Sequence, residues 1–276
     1  MDDEVGRRRE GRRAGLGAVL GLLTLAGAVA AAGGAAGGVD LAAWLRPRAY
    51  VEIDGRPVAV PEPPATEGRL LPAVPVTSAG AHAFLHTTPE GAPVGYDPCR
   101  PVRYVVRPDG MPAGADSLLA EAVAIVSAAT GLVLQDVGST DEVPAVERVL
   151  IQPERYGPGW APVLVAWSDE THLPELAGEV AGVAGSAAVP GADGTGQWLA
   201  AGRVVLDTAD IEAMLARPDG AAQARSIVVH ELAHVLGLDH VDDPDELMHP
   251  VNATRADLGP GDRQGLALVG QVPCEG

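Results

Sequence analysis

The chain has 276 residues, of which 47% are hydrophobic, enough for a sizeable core in one domain with appendages. Against 19 basic residues, all Arg, stand 37 acidic ones, for a net charge of −18, which argues against a nucleic-acid partner needing a basic face. Two cysteines exclude a disulfide-dense scaffold and a four-thiolate metal site, and leave room for one disulfide.

The chain opens with a basic cytoplasmic region, residues 1–13, carrying Arg7, Arg8, Arg9, Arg12 and Arg13. Residues 14–39 contain no charge and are long enough to span a bilayer as a helix. Two readings of this run stand: a retained signal anchor, which we take first, and a signal peptide cut after small residues such as Ala28-Val29-Ala30. Both put the remainder outside the cytoplasm, tethered to the cell membrane or secreted. Residues 40–95 are rich in Pro and lack a strong period, so they read as an extended spacer, with a small hairpin around Asp54-Gly55.

The folded domain is expected over residues 96–276. Strands are expected at 101–106, 132–137, 162–167, 183–189 and 203–207, with a doubtful one at 149–152. Leu118, Leu119, Ala122, Ile125, Val126 and Ala129 form a helical stripe over 116–130, closed by Gly131. Helices are also expected at 221–236, ended by Gly237, and at 261–269. This order of elements implies an α/β or α+β domain.

One stretch carries the chemistry, running from His230-Glu231 through His234 and Gly237 to His240. His230 and His234 are four residues apart on a helix, so both imidazoles leave one face and reach a single ion. Gly237 turns the chain back and lets His240 complete the set. Three neutral imidazoles favour one catalytic zinc and leave a coordination position for water. Glu231 stands beside the first ligand, placed to serve as general base without binding metal. Cys99 and Cys274 bracket the domain and are expected to pair in an oxidising compartment.

Eight residues after His240 comes Met248, within Leu247-Met248-His249-Pro250. The long histidine motif followed by this turn resembles the metzincin metalloproteases, and the run His240–Pro250 resembles their matrixin branch. The resemblance implies zinc ligands at His230, His234 and His240, a catalytic Glu231, and Met248 packed beneath the metal without binding it. It also implies a twisted, mostly parallel sheet with an antiparallel edge strand and two long helices. The partner is then a protein or peptide substrate, taken by a monomer, lying extended along the edge strand. Asp262 resembles an acidic position of the family's last helix, a weaker match.

Departures follow. Only His172 lies where the family places further histidines, so no structural zinc is expected. Asp193-Gly194-Thr195-Gly196 offers a Ca2+ loop, although an ordinary turn is the better reading. His249 stands where an aromatic residue is common, and His82 and His86 read as solvated. Asp239, Asp242, Asp243, Asp245 and Glu246 form an acidic, solvated loop. Two rival functions remain: a catalytically silent metal-binding surface domain, and a zinc amidase acting on cell-wall material.

Overall fold

The computed structural model describes residues 47–53, 55–251 and 255–275. The basic region and the uncharged run at 14–39 lie outside the described residues. Among the described residues no helix is long and apolar enough to cross a membrane.

A five-stranded sheet organises the domain. Its strands are β4 (Val102–Val106), β5 (Leu134–Ser139), β6 (Val163–Ser168), β7 (Gly182–Pro190) and β8 (Gln197–Asp207), in the order β5-β4-β6-β8-β7. All neighbours are parallel except β7, which runs antiparallel to β8 and forms one edge. This is the expected mixed α/β class. Central β6 reads Val-Leu-Val-Ala-Trp with every one of these residues buried, as a parallel strand covered on both faces must be.

Helix α1 (Ala115–Thr130) buries the stripe Leu118, Leu119, Ala122 and Val126 and ends at Gly131 in the left-handed conformation. A one-turn helix α2 (Pro153–Tyr156) follows β5. Helices α3 (Thr208–Leu215) and α4 (Gly220–Val235) follow β8, and α5 (Pro260–Val269) comes last. Helix α4 packs against α1, α3 and strands β7 and β8, which sets its inner face on the core beside the sheet edge.

Several boundaries differ from the sequence expectation. β5 begins at Leu134, because Leu132 is a buried core residue whose N–H is held by Thr130 Oγ1 at 3.1 Å. Residues 149–152 form no strand and lead into α2. β8 starts at Gln197, six residues before the expected 203, because a bulge at Ala201-Gly202 breaks its alternation. Helix α3 was not expected. Its signal is the Asp207 side chain, which caps it by accepting from Asp210 N–H at 2.9 Å.

Pro47–Gly276 form one compact unit. The hairpin expected in the spacer pairs β1 (Tyr50–Ile53) with β2 (Arg56–Ala59), Ile53 facing Arg56. The extended stretch that follows is laid on the domain: Arg69 donates to Gly270 O at 2.8 Å, and Gln271 donates to Val74 O at 2.8 Å. Farther on, β3 (Ala83–Phe84) pairs antiparallel with β9 (Leu238–Asp239), beside the chain that carries His240. His82 and His86 are accordingly half-buried rather than solvated, and His86 Nε2–H donates to Ser186 O at 3.2 Å.

Cys99 and Cys274 are disulfide-bonded with Cα atoms 5.6 Å apart, which ties the approach to β4 to the segment after α5. The loop Asp193–Gly196 is built as a turn, with Asp193 Oδ1 accepting from Thr195 N–H at 2.8 Å and Oγ1–H at 2.7 Å. His172 Nδ1 sits 2.8 Å from Asp169 Oδ1 on an exposed turn.

Candidate metal centre

Helix α4 delivers His230, Glu231 and His234 from its last two turns, and Gly237, at φ 113°, reverses the chain into β9. His240 follows directly, its N–H held by Asp239 Oδ1 at 2.7 Å. The Nε2 atoms of His230, His234 and His240 form a triangle with every edge 3.1 Å. Ligands around a four-coordinate zinc at 2.0–2.1 Å stand about 3.3–3.4 Å apart, so the donor set fits one ion.

The outer nitrogens explain why. His230 Nδ1–H donates to Leu247 O and His234 Nδ1–H to Leu238 O, each at 2.8 Å. These bonds fix the tautomer in which Nε2 carries a lone pair. At least two lone pairs therefore face one another at 3.1 Å, an arrangement that a cation reconciles. Burial, then repulsion from His234, pushes His230 down to about 3, and burial pushes His234 down to about 4. Burial also lowers His240. Neutral imidazoles are the form a metal needs. Among the described residues these three histidines and the group Asp97, Cys99, Cys274 are the sets with metal-ligand spacing, and the second contains the disulfide.

The chain over residues 161–268 matches the family model Matrixin. Over these residues the chain is similar to the matrixins. This match and the three-histidine site support a zinc metalloendopeptidase, a class that acts on peptides or proteins. No curated protein is similar enough in sequence to count as a relative. Among solved structures the chain is similar to the GM1-bound form of the ECX AB5 holotoxin, with 13% identity, 63% of this chain and 81% of that one covered, and a TM-score of 0.36. It is similar also to archaemetzincin from Methanopyrus kandleri, with 18% identity, coverage of 62% and 87%, and a TM-score of 0.33. A third is high choriolytic enzyme 1, a hatching-enzyme zinc-protease from Oryzias latipes, with 14% identity, coverage of 57% and 50%, and a TM-score of 0.22.

The turn beside the three-histidine site is fixed by two crossed carboxylates. Asp262, buried at the start of α5, accepts from the N–H groups of Leu247 at 2.5 Å, Met248 at 3.2 Å and Gly259 at 2.7 Å. Glu246, also buried, accepts in return from Gly261 N–H at 2.8 Å and Asp262 N–H at 3.0 Å at the same helix start, where the dipole favours a negative charge. Glu246 therefore does not belong to the solvated acidic loop in which the sequence places it. Met248 is 1% exposed within the main core, and its carbonyl accepts from Val241 N–H at 3.1 Å. His249 stands apart from the ligand triangle, its Nδ1 engaged by Val251.

Glu231 lies on the cleft side. It is 6% exposed, and among the described residues its carboxylate has no hydrogen-bond partner. Burial pushes it up to about 8. Gly182 makes room for it: a Cβ there would stand 2.8 Å from Glu231 Cγ. A cleft of about 1040 Å³ opens over these groups, lined by the ligands, Gly182–Ala184 of β7, Met214, Ile227 and Val251.

Proposed function

We propose that the protein is an extracytoplasmic endopeptidase that holds its substrate along β7 and uses Glu231 as general base. The carrying observation is Glu231 itself, a buried carboxylate without a hydrogen-bond partner among the described residues, beside three converging imidazoles. When bound at His230, His234 and His240, zinc supplies Lewis acidity to a water and to the scissile carbonyl. Glu231 takes the proton of the attacking water as the new C–O bond forms, then delivers it to the amide nitrogen as the C–N bond breaks. A cation at the triad favours the ionised carboxylate and so draws the burial-raised Glu231 down from about 8, toward the range a general base at neutral pH needs.

Strand β7 is a sheet edge, free to take an extended peptide by backbone pairing. His86 covers the carbonyl of Ser186, so pairing is confined to Gly182–Gly185, a stretch that includes the strand residues Gly182–Ala184 lining the cleft. The experiment is to purify the full chain, measure bound metal and present a mixed peptide library. Zinc-dependent cleavage that chelation abolishes supports the reading. Bound zinc with no cleavage of any peptide overturns it, and cleavage of cell-wall amides alone transfers the chemistry to a different substrate.

Placement outside the cytoplasm is supported by the Cys99–Cys274 bond and by the arginines preceding the uncharged run at 14–39. The run serves as an uncleaved anchor. Fractionation of expressing cells with sequencing of the mature N-terminus tests this, and a soluble protein beginning after Ala30 or Ala32 replaces the anchor with a cleaved signal.

A further inference from the structure

Helix α4 ends at Val235, one residue beyond His234, and its last carbonyls need donors from outside the helix. Val235 O accepts from Ser186 Oγ–H at 2.8 Å. Ser186 Oγ lies 2.8 Å from the hydroxyl of Tyr96, and that hydroxyl accepts from Gly202 N–H at 3.3 Å. Because the proton of Ser186 goes to Val235, Tyr96 must donate to Ser186. A one-way chain of hydrogen bonds thus runs from β8 through Tyr96 and Ser186 of β7 to the end of the active-site helix.

The backbone is shaped to make this possible. Gly185 faces Arg203 and Ala187 faces Ala200, so Ala201 and Gly202 together oppose Ser186 alone. The extra residue puts Ala201 at φ 49°, which is uncommon without glycine. Arg148 secures the bulge from the other side, donating to Ala201 O at 3.2 Å and Gly202 O at 3.0 Å. Its guanidinium is itself held by both oxygens of buried Glu142, at 2.8 and 2.7 Å. A Cβ at position 202 would stand 2.9 Å from the Tyr96 hydroxyl, so the close approach requires glycine. Burial pushes the Tyr96 phenol up to about 12, which keeps it a donor at neutral pH.

We infer that Tyr96 and Ser186 are positioning residues whose hydroxyls lock edge strand β7 to the end of α4. The inference rests on the proposed peptidase reading. A peptide paired on Gly182–Gly185 is carried by β7, whereas Glu231 and two histidines are carried by α4. Only the fixed relation of strand to helix brings the scissile carbonyl into register with the base.

The test uses Tyr96→Phe, Ser186→Ala and the double variant in the full chain, each change removing only oxygen. Zinc content is expected to match the wild type. On an extended peptide kcat should fall about 10–100-fold with KM nearly unchanged, because the loss is alignment rather than binding. The double variant should lose no more than the worse single one, since both cut the same chain. Hydrogen exchange of the β7 amides should quicken about tenfold while β6 stays protected. Unchanged kcat, a rise in KM alone, or loss of zinc overturns the inference. If the wild type cleaves no peptide, the peptidase reading fails separately, and exchange still decides: faster β7 exchange supports the lock, and unchanged exchange overturns it.

Discussion

Under the proposed mechanism Glu231 meets two opposed demands, being placed for chemistry at a cost to the fold. Glu231→Ala should retain zinc and lose about 10²–10⁴ in kcat or more, whereas His230→Ala should lose the metal. Parallel metal analysis and peptide kinetics check both, and wild-type activity in Glu231→Ala would refute the assigned base. In metal-free protein the folded carboxyl sits near 8 against an ordinary 4.5. Its contribution is thus intact below pH 4.5 and lost as pH rises through 8. Glu231→Gln should therefore raise the urea midpoint of chelator-treated protein at pH 8 and leave it unchanged at pH 4. The histidines are common to both proteins and cancel. These residues are legible in the sequence because helical spacing alone brings His230 and His234 onto one face. Glu246 is not, because it stands in a run of acidic residues and only its contact with the start of α5 sets it apart.

Among elements, the turn at Leu247-Met248 and the start of α5 form one mechanical unit. Asp262→Ala would strip the acceptor from three backbone donors, Leu247, Met248 and Gly259. With about 1–3 kcal/mol for each buried donor left unsatisfied, a loss on the order of 3–9 kcal/mol is expected in urea unfolding. Zinc affinity should fall about 10–100-fold by chelator competition, because Leu247 O orients His230. Unchanged affinity would show that the turn holds its shape without Asp262. Periodic elements such as α1, α4 and β6 are readable from their own residues. The early start of β8 is not, since its bulge is stabilised by Arg148 and Tyr96 from elsewhere in the chain. The same holds for residues 69–95, whose order comes from docking on α5 and β9 rather than from any period.

For the whole molecule, the Cys99–Cys274 bond closes a loop with a sequence separation of 175 residues. In the chain-entropy model such a closure stabilises by about 5 kcal/mol. Reduction should lower the urea midpoint accordingly, and mass spectrometry of unreduced, alkylated protein should find no free thiol; two alkylated cysteines would refute the pairing. The pairing is legible because only two cysteines exist and they flank the fold, while the docking of the spacer is legible nowhere in its composition. The short pairing of β3 with β9 has a further consequence for timing. The ligands and the turn beneath them lie late in the chain, whereas the strand that borders the third ligand lies far upstream and waits without a partner. A polypeptide emerging from its N-terminal end thus holds no complete metal centre until the turn at Leu247-Met248 and the start of α5 that fixes it have followed. The three ligands alone, before β3 and the turn have closed on them, are not yet the assembled site.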